Sequence, residues 1–229
     1  MISFNVRSMK QNWSNFKNEI VITSNQFDVI GVCETRLTKG TERVYKLDGY
    51  NMFTCNVSSK NGGVGLYISK KYSAKTLIDM CFVSEYLEAL FVEVHINKNK
   101  TLIIGMLYRR SGTVVGDFMH KMEEILVNID KKKCLMMGDF NLNLLESNTN
   151  DVVSDYISLF NQFSFNPTII KPTRVTPHSA TIIDQIWVNF TDNRDSNGAF
   201  TQIIISDITD HFPCSIHVNI KRVRIFRSV

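Results

Sequence analysis

A short run of apolar, largely β-branched residues that breaks off abruptly into charge is the mark of a strand buried on both faces whose end reaches a rim. Residues 27–33, Phe-Asp-Val-Ile-Gly-Val-Cys, run straight into Glu34. Residues 134–137, Cys-Leu-Met-Met, run into Gly138-Asp139-Phe140-Asn141. A further charged pair, Asp210-His211, is bracketed by apolar runs over 181–188 and 214–220. Carboxylates, an amide and an imidazole delivered by several strand ends point to one polar site at the rim of a sheet. They also limit the fold to one that brings several buried strands out at the same edge.

The remaining pattern supplies helices between such strands. Residues 2–5 start as a strand, and residues 10–24 place Trp13, Phe16 and Ile20 at helical spacing. Residues 50–56 and 64–69 read as strands joined across Asn61-Gly62-Gly63, a hairpin signal; the Gly-Lys-Ser/Thr ending of a phosphate loop is missing there. The alternating run over 90–96 and the apolar run over 102–107 predict a second hairpin ending at Tyr108-Arg109-Arg110. Phe118, Met122, Ile125, Leu126 and Ile129 make one apolar helical face, with Asp117 near its start; Val153, Tyr156, Phe160 and Phe163 make another. The expectation is an α/β protein with mixed sheets covered by helices.

With 229 residues, 44% of them hydrophobic, and no linker-like stretch, the chain reads as a single domain over 1–229. Its net charge of +4 suits contact with a polyanion over part of the surface, not charge-driven binding. Lys131-Lys132-Lys133 reads as a solvated turn, and Lys221, Arg222, Arg224 and Arg227 as a basic terminus. Five cysteines without a CxxC pair argue against a disulfide framework and a zinc ribbon, and for a reducing compartment; Cys33 and Cys134 read as core residues. No secretory signal or membrane-spanning run is present, so the Asn-x-Ser/Thr sequons at Asn12, Asn56 and Asn189 carry no weight, and no membrane partner is expected.

The chemistry follows from charge balance. Glu34, Asp139, Asp184 and Asp210 cannot share a cleft without a cation or protons to offset their repulsion. An all-oxygen donor set favours magnesium, with manganese as a substitute, over zinc. Around such a Lewis acid, Asp139 is placed to activate or orient a water and Asn141 to hold that water or the phosphate. His211 is placed to donate to a phosphate oxygen, with Asp184 orienting and charging it. Singly, each residue has a plainer explanation: an Asx-turn for Asp139, a turn cap for Asp210, strand-edge polars for Asn5 and Glu34, a strand-end aromatic for Tyr108. Their joint occurrence at strand ends is what favours a site. His95, His120 and His217 lie in ordinary strand or helix patterns and are left out of it.

These residues, in this order, resemble the endonuclease/exonuclease/phosphatase superfamily: an early Asn, a Glu, Gly-Asp-Phe-Asn and a terminal Asp-His. The segments Cys33-Glu34-Thr35-Arg36-Leu37, Gly62-Gly63-Val64-Gly65-Leu66-Tyr67, Pro172-Thr173-Arg174, Ser179-Ala180-Thr181-Ile182-Ile183-Asp184 and Ser206-Asp207-Ile208-Thr209-Asp210-His211-Phe212-Pro213 are similar to the apurinic-type endonuclease of non-LTR (LINE-type) retrotransposons. The resemblance implies a four-layered α/β sandwich of two packed mixed sheets flanked by helices, deoxyribonuclease-I-like. It implies that Glu34 with Asn5 holds the metal, that Tyr108, Asp139 and Asn141 handle phosphate, water and leaving oxygen, that Asp184 pairs with His211, and that Asp210 joins the metal or phosphate shell. The implied reaction nicks double-stranded DNA in the nucleus, leaving a 5′-phosphate and a 3′-hydroxyl that primes a reverse transcriptase. The chain is then a monomeric domain of a longer polyprotein that carries the polymerase. Residues 174–180 are the expected DNA-reading loop, with Arg109, Thr173, Arg174 and Thr209 as DNA contacts. An abasic-site repair endonuclease, a lipid phosphodiesterase of the same superfamily and a decayed DNA-binding module are the competing functions.

Overall fold

The computed structural model describes residues 1–23, 27–38, 40–55, 62–190 and 199–219. Fifteen strands and three α-helices lie along these residues. The strands are β1 (Ile2–Asn5), β2 (Val29–Cys33), β3 (Tyr50–Cys55), β4 (Val64–Ser69), β5 (Ser73–Thr76), β6 (Phe82–Val83), β7 (Leu87–Asn97), β8 (Lys100–Arg109), β9 (Cys134–Asp139), β10 (Asn166–Pro167), β11 (Arg174–Thr176), β12 (Ser179–Thr181), β13 (Asp184–Val188), β14 (Ala199–Ile203) and β15 (Cys214–Val218). The helices are α1 (Met9–Ile22), α2 (Val115–Ile129) and α3 (Asp151–Gln162).

One sheet has the order β14-β15-β1-β2-β4-β3, and the other β10-β13-β9-β8-β7-β5 with β6 also on β7. Both are mixed. β1 and β2 are parallel across α1, and β8 and β9 are parallel across α2, while the remaining pairs are antiparallel. Three apolar clusters define the layers. Phe4, Phe16, Ile20, Ile30 and Tyr67 pack α1 onto the first sheet. Val29, Leu66, Val92, Ile104 and Met137 fill the space between the sheets. Phe118, Met122, Phe140, Tyr156, Phe160 and Trp187 pack α2 and α3 onto the second. The order helix, sheet, sheet, helices is the four-layered sandwich, and it explains why the runs at β2 and β9 are apolar on both faces.

Local chemistry sets the element ends. Ser8 caps α1 by accepting from the Gln11 N–H at 3.3 Å, and Asn150 caps α3 by accepting from Val152 at 3.1 Å. The short strands β5, β6, β10, β11, β12 and β14 were not legible, because pieces such as Ser-Ala-Lys-Thr have neither alternation nor an apolar run. β7 begins at Leu87, three residues before the expected run at 90, and this brings Glu88 into the strand. Asn61 of the first hairpin, Asn56 and the basic residues Lys221, Arg222, Arg224 and Arg227 lie outside the described residues. Lys131–Lys133 is an exposed turn at the start of β9, so the length of that strand, about 17 Å, separates it from Asp139.

Candidate functional site

Strand register assembles the site. Across the second sheet, Glu88 on β7 pairs with Tyr108 on β8, Tyr108 with Asp139 on β9, and Asp139 with Asp184 on β13, a row of polar residues at one edge of an apolar sheet. In the first sheet Asn5 pairs with Cys33, and Glu34 follows directly. The two sheets meet through Asn5: its Nδ2 donates to Glu34 Oε1 at 2.8 Å and to Asp139 Oδ2 at 3.0 Å. Its Oδ1 accepts from the Arg7 backbone N–H at 3.0 Å.

The backbone here is unusual. Among the described residues, six non-glycine residues have positive φ, and four of them, Arg7, Glu34, Arg36 and Asn141, belong to the loops that carry this site. Such conformations cost a non-glycine residue on the order of 1–3 kcal/mol and persist only where neighbours impose them. Thr35 and Arg36 donate to the Gly63 and Gly62 carbonyls at 3.1 and 2.6 Å, fixing the loop that presents Glu34. Gly138 is demanded by space: at φ 143, a Cβ there would stand 1.9 Å from the Leu107 carbonyl oxygen.

Asp184 and His211 form a buried pair, with Nδ1 of His211 2.9 Å from Asp184 Oδ2. Thr173 Oγ1 donates to the same Oδ2 at 3.0 Å and accepts from the Asp184 backbone at 3.1 Å. Burial works against charge on His211, but Asp184 overcomes it and raises the imidazole above its ordinary range. Burial, with Asp184 next, pushes the Asp139 carboxyl up to about 8. Burial, with Glu34 next, holds the Tyr108 phenol above its usual value, so it is a neutral donor. Asp210 would also be raised by its partial burial, but the Arg174 bond, His211 and Arg7 hold it below the usual carboxylate range.

The structure therefore gathers Asn5, Glu34, Tyr108, Asp139, Asn141, Asp184, Asp210 and His211 into one region. Asn141 donates from its backbone to Asp139 Oδ1 at 3.0 Å and from its amide to the Arg109 carbonyl at 2.7 Å, so it also braces the loop. Two expected DNA contacts, Arg109 and Thr173, are corrected by their burial. Arg109 is 3% exposed and binds the carbonyls of Asn141 and Thr113, because β8 continues through it and tucks it over Phe118. Thr173 is fully buried under Asp184. Thr209 spends its hydroxyl on the Asn5 carbonyl at 3.1 Å and the His211 N–H at 3.1 Å. Arg174 is half-exposed at the base of the exposed β11–β12 hairpin. Asp210, expected in the metal or phosphate shell, is ion-paired with Arg7 at 2.8 Å and Arg174 at 2.8 Å. Arg7 and Glu88 were missed by sequence reasoning. Arg7 is identified only by its fold-dependent contact, whereas the Gly62-Gly63 pair that Glu88 supports was a visible signal.

The donor set fits a hard divalent cation. Glu34 and Asp139 share one amide, which brings two carboxylates, each with oxygen lone pairs left over, to one point of the cleft. Asp139, Asp184 and His211 also present ligand atoms within 4.8 Å of one another. Nδ1 of His211 is already committed to Asp184, and Asn5, expected to help hold the metal, turns Nδ2 to Glu34 and Asp139 and spends Oδ1 on the Arg7 N–H, so the oxygen ligands on this side are the carboxylates that Asn5 orients, Glu34 with Asp139 beside it.

No protein-family model matches the sequence, and no curated protein is significantly similar to it. Solved structures are similar over nearly the whole chain. The endonuclease domain of TRAS1, a telomere-specific non-LTR retrotransposon, has a TM-score of 0.75 at 9% identity, covering 96% of this chain and 98% of that one. An AP endonuclease from Archaeoglobus fulgidus has 0.69 at 11% identity, with 96% and 98% covered. D. rerio TDP2, solved with a single-strand DNA product, has 0.65 at 13% identity, with 95% and 98% covered. The chain thus has the deoxyribonuclease-I-like sandwich fold, which the motif resemblance implied.

Proposed function

We propose that this chain is a metal-dependent DNA endonuclease that nicks one strand, leaving a 5′-phosphate and a 3′-hydroxyl. The observation that carries the reading is the convergence of both sheets on Asn5, which joins Glu34 to Asp139 beside the Asp184–His211 pair. Magnesium, or manganese in its place, would be held by the Glu34 carboxylate that Asn5 orients, and when bound would neutralise the carboxylates and polarise a phosphoryl oxygen. Asp139, held in place by Asn5 Nδ2 and the Asn141 N–H, accepts the proton of an attacking water. Asp184 raises the affinity of His211 for its proton, the His211 Nε2–H donates to a non-bridging oxygen, and the neutral Tyr108 hydroxyl offers a second donor. Asn141 keeps Asp139 oriented through its backbone N–H.

The segments around Glu34, Thr173 and Asp210, together with the fold shared with the TRAS1 endonuclease domain, support the finer reading. On that reading the nick primes reverse transcription in a non-LTR retrotransposon, inside the nucleus and within a polyprotein. The fold shared with an AP endonuclease supports one alternative, abasic-site cleavage. The test is conversion of supercoiled plasmid to open circle in magnesium, beside EDTA and the His211→Ala protein, with an abasic duplex in parallel. Nicking abolished by both controls is expected. Wild-type protein that leaves the plasmid supercoiled refutes the proposal, and cleavage confined to the abasic duplex favours the repair reading.

A further inference from the structure

Asp210 and its two arginines come from three distant parts of the chain. Arg7 Nη2 lies 2.8 Å from Asp210 Oδ1 and 2.9 Å from Oδ2, and Arg174 Nε lies 2.8 Å from Oδ2. Arg7 follows β1 directly with φ 50. Its own N–H is spent on Asn5 Oδ1, so the residue that orients the amide between Glu34 and Asp139 also sends its side chain to Asp210. Arg174 is fastened from the other side by its bridge to His211 and by the Phe212 N–H bond to the Thr173 carbonyl at 2.6 Å.

Stability does not account for this arrangement. The side chains are 42%, 37% and 27% exposed for Arg7, Arg174 and Asp210, and ion pairs this wet contribute less than a left-handed arginine costs. Two guanidiniums on one carboxylate leave a net positive charge, and each keeps N–H groups beyond those that Asp210 takes. The group stands beside the catalytic imidazole, with His211 Nε2 4.0 Å from Asp210 Oδ1. A guanidinium pair of this kind, held in position before any ligand arrives, is suited to bidentate recognition of a phosphodiester.

Resting on the nicking function above, we propose that Arg7 and Arg174 clamp a backbone phosphodiester next to the one that is cut, and that Asp210 positions the two arginines and does not ligate the metal. Fluorescence anisotropy of a labelled duplex, measured in EDTA from 50 to 200 mM salt, reads the clamp directly. Each of Arg7→Ala and Arg174→Ala lowers the slope of log affinity against log salt by about 0.9. Arg7→Lys, which keeps the charge, restores the slope. In steady-state nicking, both alanine variants raise KM more than they lower kcat. Asp210→Asn raises KM while its magnesium midpoint stays within about twofold of wild type. Unchanged salt slopes in folded arginine variants overturn the clamp, and a tenfold shift in the magnesium midpoint of Asp210→Asn overturns the positioning role of Asp210. If the wild-type protein neither binds nor nicks DNA, the proposed function falls and the clamp with it. If it nicks normally while the slopes hold, the clamp alone falls.

Discussion

Replacing Asp139 by asparagine should make the metal-free protein more stable while removing its activity. The folded carboxyl is pushed up from 3.8 to about 8 by burial, then by Asp184. At pH 7 the unfolded chain has released that proton and the folded chain still holds it. The gap of about three pH units, at about 1.4 kcal/mol each, costs the folded state about 4 kcal/mol. The sign is fixed by linkage: a raised carboxyl loses the protein stability as pH climbs from the unfolded value to the folded one, here between about 4 and 8. Asparagine removes that titration but presents one amide nitrogen to donors, either the Asn141 N–H or Asn5 Nδ2, and so loses one hydrogen bond worth about 1 kcal/mol. Asp139→Asn is therefore about 1 kcal/mol less stable than wild type near pH 4 and about 3 kcal/mol more stable at pH 7. The latter is a rise in Tm of about 6–12 °C for a chain of this length. Thermal melts in EDTA across that range, followed by circular dichroism, measure the crossover. A variant that melts at or below wild type at pH 7 would refute the view that burial and Asp184 disfavour the charged form of Asp139 in the folded protein.

Two further outcomes follow from the geometry. Gly138→Ala puts a methyl 1.9 Å from the Leu107 carbonyl oxygen, whereas Gly112→Ala, also at positive φ, meets nothing within 4 Å. Gly112 at φ 75 lies near the left-handed region that other residues can visit, whereas Gly138 at φ 143 does not, so Gly138→Ala should lose at least about 1–3 kcal/mol more, seen as a clearly lower Tm and lost nicking, while Gly112→Ala nicks normally. Asp184→Asn keeps the Thr173 contacts but removes the charge that raises His211. Nicking should fall on the order of 10²–10⁴-fold with a folded protein, and a drop under threefold would exclude a charged His211 from the reaction.

How much of this was readable in advance depends on whether a residue's surroundings are local. Glu34 and Asp139 announced themselves because each ends a run that must be a doubly buried strand, and strand ends fix position within a residue or so. The Asp184–His211 pair was legible as a conjunction of types, although its distance depends on β13 and on the loop ahead of β15. Arg109 and Thr173 were misread as DNA contacts because burial is a property of the packed sheet. Nothing in Tyr-Arg-Arg says that the first arginine turns under Asn141 while the second pairs with Glu88. Arg7 was invisible for a related reason, since its left-handed backbone and its partner 203 positions away exist only in the folded chain.

The central claim is hydrolysis of a DNA phosphodiester that leaves an extendable end, and the ends of the nick report it directly. Plasmid nicked by the wild-type protein in magnesium should be resealed by DNA ligase without prior repair and extended by a DNA polymerase from the nick, both of which require a 3′-hydroxyl, and the sealing also a 5′-phosphate. Nicks that ligase cannot close and polymerase cannot extend would mean the bond is broken on the other side of the phosphorus, and would contradict the proposed departure of the 3′-oxygen and retention of the phosphate on the 5′ side.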